Sequence, residues 1–229
     1  MMKKIINGIV IVLSIILIGF VMISSIIPNI VLNVKVTIGG FVIPIFIIII
    51  TMIVEIKKSK DAQEKSEIRN FWLKALFIIY CLLLITILFL NNEYRMGGFQ
   101  NINTFSKEHF ETSNLIPFAT IIEYIIGVIS NDINTSIVII NFATNLLLFA
   151  PMGFFIPVLF QSKIKNIKQF VIMIIILTLI VEMLQFITYR GSTDIDDIIL
   201  NTIGAVIMYM IMRTKFAKKL FKKVIDISE

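Results

Sequence analysis

Six runs of apolar residues, each close to the thickness of a bilayer, constrain this chain more than any motif in it. A helix needs about 20 mostly apolar residues to cross roughly 30 Å of hydrocarbon. Read in windows of about 19 residues, the sequence offers candidate spans at 5–27, 36–54, 75–90, 136–160, 169–188 and 197–212. The third and the last are short and need their flanks. With 229 residues, 58% of them hydrophobic, 16% charged and a mean hydropathy of +0.95, the chain is too apolar for an ordinary soluble domain. The expected fold is all-α, a polytopic helical membrane protein with about six transmembrane helices. The first run follows "MMKK", but it is longer than the apolar region of a secretory signal and no small-residue cleavage site closes it, so it reads as an uncleaved anchor. A single cysteine, Cys81, and a single histidine, His109, exclude a disulfide framework and cannot build a zinc site by themselves.

Lysine and arginine set the orientation. If the N-terminus is cytoplasmic, six spans leave 17 of the 21 lysines and arginines on the inside; only Lys35, Arg95, Lys107 and Arg190 remain outside. That is the asymmetry of the positive-inside rule, and it places both termini in the cytoplasm. The net charge of +6 is thereby explained without nucleic acid, and the tail "RTKFAKKLFKK" suits contact with anionic lipid. The organisation expected is an N-terminal transmembrane hairpin at 1–54, a charged cytoplasmic connection at 55–74, a four-helix membrane domain at 75–213 with an extracellular loop at 91–135, and a basic cytoplasmic tail at 214–229. Inside that loop, the apolar stretch 121–129 is too short to span and suits an interfacial or re-entrant helix.

The polar residues of the later spans fall at one depth. Glu182 lies six residues, about 9 Å, inside the outer end of the fifth span, with Gln185 one turn nearer the surface; Asn201 lies about 6 Å inside the sixth, on the face of Asp197. Asn141 and Asn145 are one turn apart in the outer half of the fourth. With Arg190 and Asp194 in the intervening segment, three separate stretches send hydrogen-bonding groups to the outer leaflet. An acid inside a bilayer costs about 2.5–3.5 kcal/mol on insertion scales and is normally paired or placed along a wet path. Arg190 is the outer cation within reach of Glu182. The plainer account of Glu182 is a protonated or amide-bonded residue that holds helices together. For the run Asp194, Asp196 and Asp197 it is a helix start, with Asp194 or Asp196 as the cap. "APMGF" at 150–154 predicts a kink or a close helix contact at Pro151 and Gly153, with ordinary packing as the simpler reason for both residues.

"NLIPF" at 114–118, "NLLLFAPMGFFIP" at 145–157, "EMLQ" at 182–185 and "RGSTDIDDIILNTIG" at 190–204 follow one another in an order and spacing that resembles the VanZ-like family of bacterial membrane proteins. The resemblance covers roughly residues 71–213. The family pattern falls on Asn114, Pro117, Phe118, Asn145, Phe149, Pro151, Gly153, Glu182, Gln185, Arg190, Asp194, Asp197, Asn201 and Gly204; of these, Asn114, Asn145, Glu182, Gln185, Arg190, Asp194, Asp197 and Asn201 are the candidate ligand-binding positions, and Pro117, Phe118, Pro151, Gly153 and Gly204 the candidate structural ones. The resemblance implies a multi-pass protein of the bacterial cytoplasmic membrane with a role at the cell envelope, since the family takes its name from a protein associated with resistance to glycopeptides, notably teicoplanin.

Partners suited to such a cluster are membrane lipids, a lipid-linked cell-wall precursor or the glycopeptide itself. No cofactor is evident; Mg²⁺ or Ca²⁺ is conceivable on the hard oxygens of Glu182, Asp194 and Asp197, with Asp196 the poorest ligand because aspartates at i, i+2 and i+3 cannot all face one point on a helix. Three functions stay open: a binding or remodelling protein for envelope lipids, a metal-dependent enzyme acting on a lipid phosphate or precursor, and a small lipid or drug transporter. The chain carries no G-x-S-x-G, H-E-x-x-H or P-loop motif, which disfavours the enzyme. The absence of an inverted repeat disfavours the transporter.

Overall fold

The structure is a computed structural model that describes residues 2–27, 34–90, 113–160, 163–188 and 193–219. Arg190 and His109, both named from the sequence, lie outside the described residues. The described residues form the helices α1 (Met2–Ile26), α2 (Val34–Lys58), α3 (Ala62–Ile85) continued by a π-helical turn (Thr86–Leu90), α4 (Ala119–Ile129), α5 (Thr135–Phe149), α6 (Met152–Leu159), α7 (Ile167–Thr188) and α8 (Ile195–Arg213). Six helical stretches are long and apolar enough to cross a membrane, with α5 and α6 together making the fourth. The protein is thus a polytopic helical membrane protein. Isoleucine-rich runs become helices here because a backbone in hydrocarbon must satisfy its own N–H and C=O groups, which a helix does within one segment. Their outward faces carry exposed Ile, Leu and Phe, such as Ile16, Phe20, Phe46 and Ile140, as expected where lipid is the solvent.

The chain divides into two compact units, Met1–Arg95 with Leu220–Glu229, and Met96–Lys219. In the first, α1 packs on α2 and α2 on α3, with Gly40 set against the Val21 side chain. Two buried hydroxyls bond back within α1, Ser14 to the Val10 carbonyl at 2.7 Å and Ser25 to that of Val21 at 2.9 Å, so these two add no unpaired donor. The charged stretch 55–74 is largely helical. α2 runs on to Lys58, and α3 starts at Ala62 under an Asp61 cap that accepts the Glu64 N–H at 3.1 Å. Hydropathy registers where the hydrocarbon ends; the helices continue because a cap, not a polar boundary, sets their ends. Across that junction Trp72, fully buried, donates its indole N–H to Glu55 at 2.7 Å.

In the second unit, α5, α6 and α7 all pack on α8, and α4 packs on α5 and α8. Helices α5 and α6 run in the same sense as α8, as the predicted fourth and sixth spans should. Leu146 faces Gly204 and, further along, Gly153 faces Ala205 and Tyr209. Both glycines are required by close approach: a Cβ on Gly204 would fall on the Leu146 carbonyl, and one on Gly153 would meet the Ala205 carbonyl and lie 2.6 Å from the Tyr209 nitrogen. Pro151, which has no N–H to continue the ladder, separates α5 from α6. At "APMGF" the helix is interrupted at Pro151, and Gly153 makes the close helix contact. At the far end of α8, Tyr209 stacks on Phe170 with 4.5 Å between ring centroids, and the Arg213 guanidinium lies 4.8 Å from its ring centre.

Candidate functional site

The first turn of α8 sits in a knot of polar contacts that begins with Asn114. Its N–H donates to the Thr193 carbonyl at 2.9 Å, and its carbonyl accepts the Ile195 N–H at 3.0 Å. Two extended residues, Asn114 and Asp194, are thus held side by side. The Asn114 amide then donates to Asp194 Oδ1 at 3.1 Å and to Thr120 Oγ1 at 2.8 Å, and Thr120 Oγ1 donates to Asp194 Oδ2 at 2.6 Å. Asp194 also caps its own helix by accepting the Asp196 N–H at 2.8 Å. The capping role expected for Asp194 or Asp196 belongs to Asp194.

Asp196 caps a different helix. Its carboxylate, only 1% exposed, accepts the Phe118 N–H at 2.5 Å and the Ile121 N–H at 3.1 Å, in the first turn of α4. Phe118 occupies the N-cap position with a left-handed φ of 67° and no side-chain acceptor of its own. Backbone of that kind costs roughly 1–2 kcal/mol in a non-glycine residue, and the borrowed carboxylate offsets it. The expectation that Asp196 faces away from its two neighbours is consistent with this geometry.

Below this knot, Asp197 accepts a short hydrogen bond from the Asn145 amide of α5. Glu182 of α7, 3% exposed, accepts the Asp194 N–H at 3.4 Å. Asn201 lies one turn below Asp197, between two contacts of α8 with α5, the bond to Asn145 and the Gly204–Leu146 approach. It is 4% exposed and its Oδ1 has no hydrogen-bond partner. Asn141, also expected at this level, donates to the Tyr124 hydroxyl of α4 at 3.1 Å. Gln185 is half-buried on α7. Pro117 and Phe118 form the exposed turn into α4.

Asn114, Asn145, Glu182, Asp194 and Asp197 are therefore linked through hydrogen bonds drawn from four segments far apart in sequence, and Asn201 lies on the same face of α8. Thr120 and Asp196 belong to the knot but were not among the candidate positions. One sequence signal pointed to Asp196: "IPFAT" starts a helix with an apolar residue where a Ser, Thr, Asp or Asn cap is normal, so its N–H groups must find an acceptor elsewhere. Among the described residues no lysine or arginine pairs with these acids. No three His, Cys, Asp or Glu side chains among them are grouped to hold a metal ion, so Glu182, Asp194 and Asp197 do not form a ready ligand set.

Fold and site together define a multi-pass helical membrane protein with a carboxylate–amide cluster gathered around the start of α8. The VanZ/LLP1 family model matches residues 77–218, and the chain belongs to that family. No curated protein and no solved structure matches it.

Proposed function

We propose that this VanZ-like protein lies in the bacterial cytoplasmic membrane and contributes to tolerance of glycopeptides such as teicoplanin. It does so by binding or remodelling a cell-envelope lipid or lipid-linked wall precursor through the polar cluster. The observation that carries this reading is the joining of Asn145 to Asp197 and of Glu182 to the Asp194 backbone at the Asn114–Asp194 knot, with Asn201 buried one turn further along α8, inside the stretch matched by the family. Helix association in a membrane needs only an isolated polar contact, worth about 0.6 kcal/mol on average. Several acids and amides within one cluster exceed that need. The positive-inside asymmetry supports an outer-leaflet position for it, level with lipid headgroups and wall precursors. Binding is favoured over turnover because the sequence carries no recognised catalytic motif and no group of three metal-ligating side chains occurs among the described residues.

Tolerance measured in a host expressing the full chain tests this. Glu182→Ala, Asn145→Ala and Arg190→Ala are each expected to lower the teicoplanin concentration tolerated while leaving the amount of protein in the membrane unchanged. If all three keep wild-type tolerance, the cluster has no part in it.

A further inference from the structure

We infer that the cluster recognises a primary ammonium group on its ligand. This rests on the lipid- or precursor-binding reading and deepens it. The acids divide by what already satisfies them. Asp194 accepts from Asn114, Thr120 and the Asp196 N–H, and Asp196 accepts from two N–H groups of α4. Both are spent on structure. Among the described residues, Glu182 has one long contact at 3.4 Å and Asp197 one amide donor. The Asn201 Oδ1, on a side chain 96% removed from solvent by its 4% exposure, has none.

What remains is a set of acceptors short of donors. A buried acceptor left unpaired costs about 1–3 kcal/mol, and a buried carboxylate calls for a counter-charge. Arg190, the nearest cation in sequence, carries a single positive charge against two acids. A ligand that supplied phosphate alone would add negative charge to this place; one that supplied N–H donors on a positive centre would satisfy Glu182, Asp197 and Asn201 together.

The donor set favours ammonium over a metal ion: Asp197 and Asn201 stand one helical turn apart on one face of α8, and no three His, Cys, Asp or Glu side chains among the described residues are grouped to hold a metal ion. Two sources carry this chemistry at the outer leaflet: an aminoethyl phosphate lipid headgroup, and the side-chain amine of a diamino acid in a wall-precursor peptide.

Native mass spectrometry of the full-length protein in detergent tests the inference. The probes are phosphatidylethanolamine, its N-methyl, N,N-dimethyl and trimethyl (choline) forms, and phosphatidylglycerol, all with the same acyl chains, together with a soluble lysine-containing pentapeptide. Retention of phosphatidylethanolamine about tenfold above the choline lipid, falling stepwise as N–H donors are replaced by methyl groups at constant charge, supports the inference and points to a lipid source. Retention of the peptide, lost when its amine is acetylated, supports it and points to the precursor. Glu182→Gln, Asp197→Asn and Asn201→Leu should each abolish the preference, and the methylation series on wild-type protein decides the matter should those variants not fold. Equal retention of every lipid with no peptide binding overturns the ammonium proposal and leaves lipid binding standing. No retention of any probe overturns both. A preference that disappears with EDTA overturns it in favour of a metal ion.

Discussion

Asp196 shows how much of this site depends on one side chain placed across segments. Its two oxygens satisfy the Phe118 and Ile121 N–H groups, which no residue of α4 can do, since the N-cap position carries Phe118. Asp196→Ala removes both acceptors and leaves two part-buried donors at a left-handed turn. The expected loss is about 2–4 kcal/mol, from two unpaired groups, seen as a Tm several degrees lower for the detergent-solubilised protein and as faster proteolysis near residues 113–118. Asp196→Asn, which keeps one carbonyl acceptor, should lose about half as much. Glu55 supplies a second case: Glu55→Leu strands the buried Trp72 N–H, with a cost of about 1–3 kcal/mol readable in the same melting measurement, whereas Glu55→Gln should recover most of it. At this scale the sequence made most of the cluster legible, because acids and amides are rare enough in apolar helices for depth alone to align Glu182, Asn145 and Asn201. Asp196 and Thr120 escaped because their partners are backbone groups and another segment, and neither leaves a trace in spacing along one helix.

Helix α8 is the element on which the site is assembled, and its two faces are read by different residues. Asp197, Asn201 and Gly204 recur at i, i+4 and i+7, one stripe of a 3.6-residue repeat. This stripe meets α5 through Asn145 and Leu146. Gly204 must stay without a side chain because the Leu146 carbonyl occupies the place of a Cβ, and a backbone atom cannot turn aside as a side chain can. Gly204→Ala is expected to spread α5 from α8, cost about 1–3 kcal/mol of overpacking, and lengthen the Asn145–Asp197 contact. Gly153→Ala should act likewise through Ala205 and Tyr209. Gly19→Ala and Gly39→Ala, where nothing lies within 4 Å, should leave stability nearly unchanged. The fraction of protein surviving a heating series in detergent checks all four. The spans themselves were legible because length and hydropathy decide them. Two features were legible only in part: the break at Pro151, where sequence offered a kink or a contact and the fold has an interrupted helix with the contact at Gly153, and the ends of α2 and α3, which reach into the charged stretch because helix caps are set locally while hydropathy averages over a window.

For the molecule as a whole, the polar cluster acquires meaning only from the side of the membrane it faces. Span number and charge are linked here: an even number of crossings returns the basic tail to the side of Lys57, Lys58 and Lys60, and inverting the chain would put 17 of its 21 cations outside. A lysine near the cytoplasmic leaflet gains about 1 kcal/mol from anionic lipid, so the inverted form is disfavoured many times over. In the orientation that the charges favour, the entry to α4, the start of α8 and the loop between α4 and α5 would lie toward the outer side. In a Cys81→Ala background, Ser130→Cys in that loop should react on intact cells with a membrane-impermeant maleimide. Ala62→Cys, at the exposed start of α3, should react only after the cells are made permeable. The reverse pattern would place Glu182, Asp197 and Asn201 at the inner leaflet, beyond reach of an external glycopeptide, and would end the envelope reading while leaving the fold intact. Equal labelling of both positions on intact cells would indicate mixed orientations, and tolerance should then scale with the outward-facing fraction.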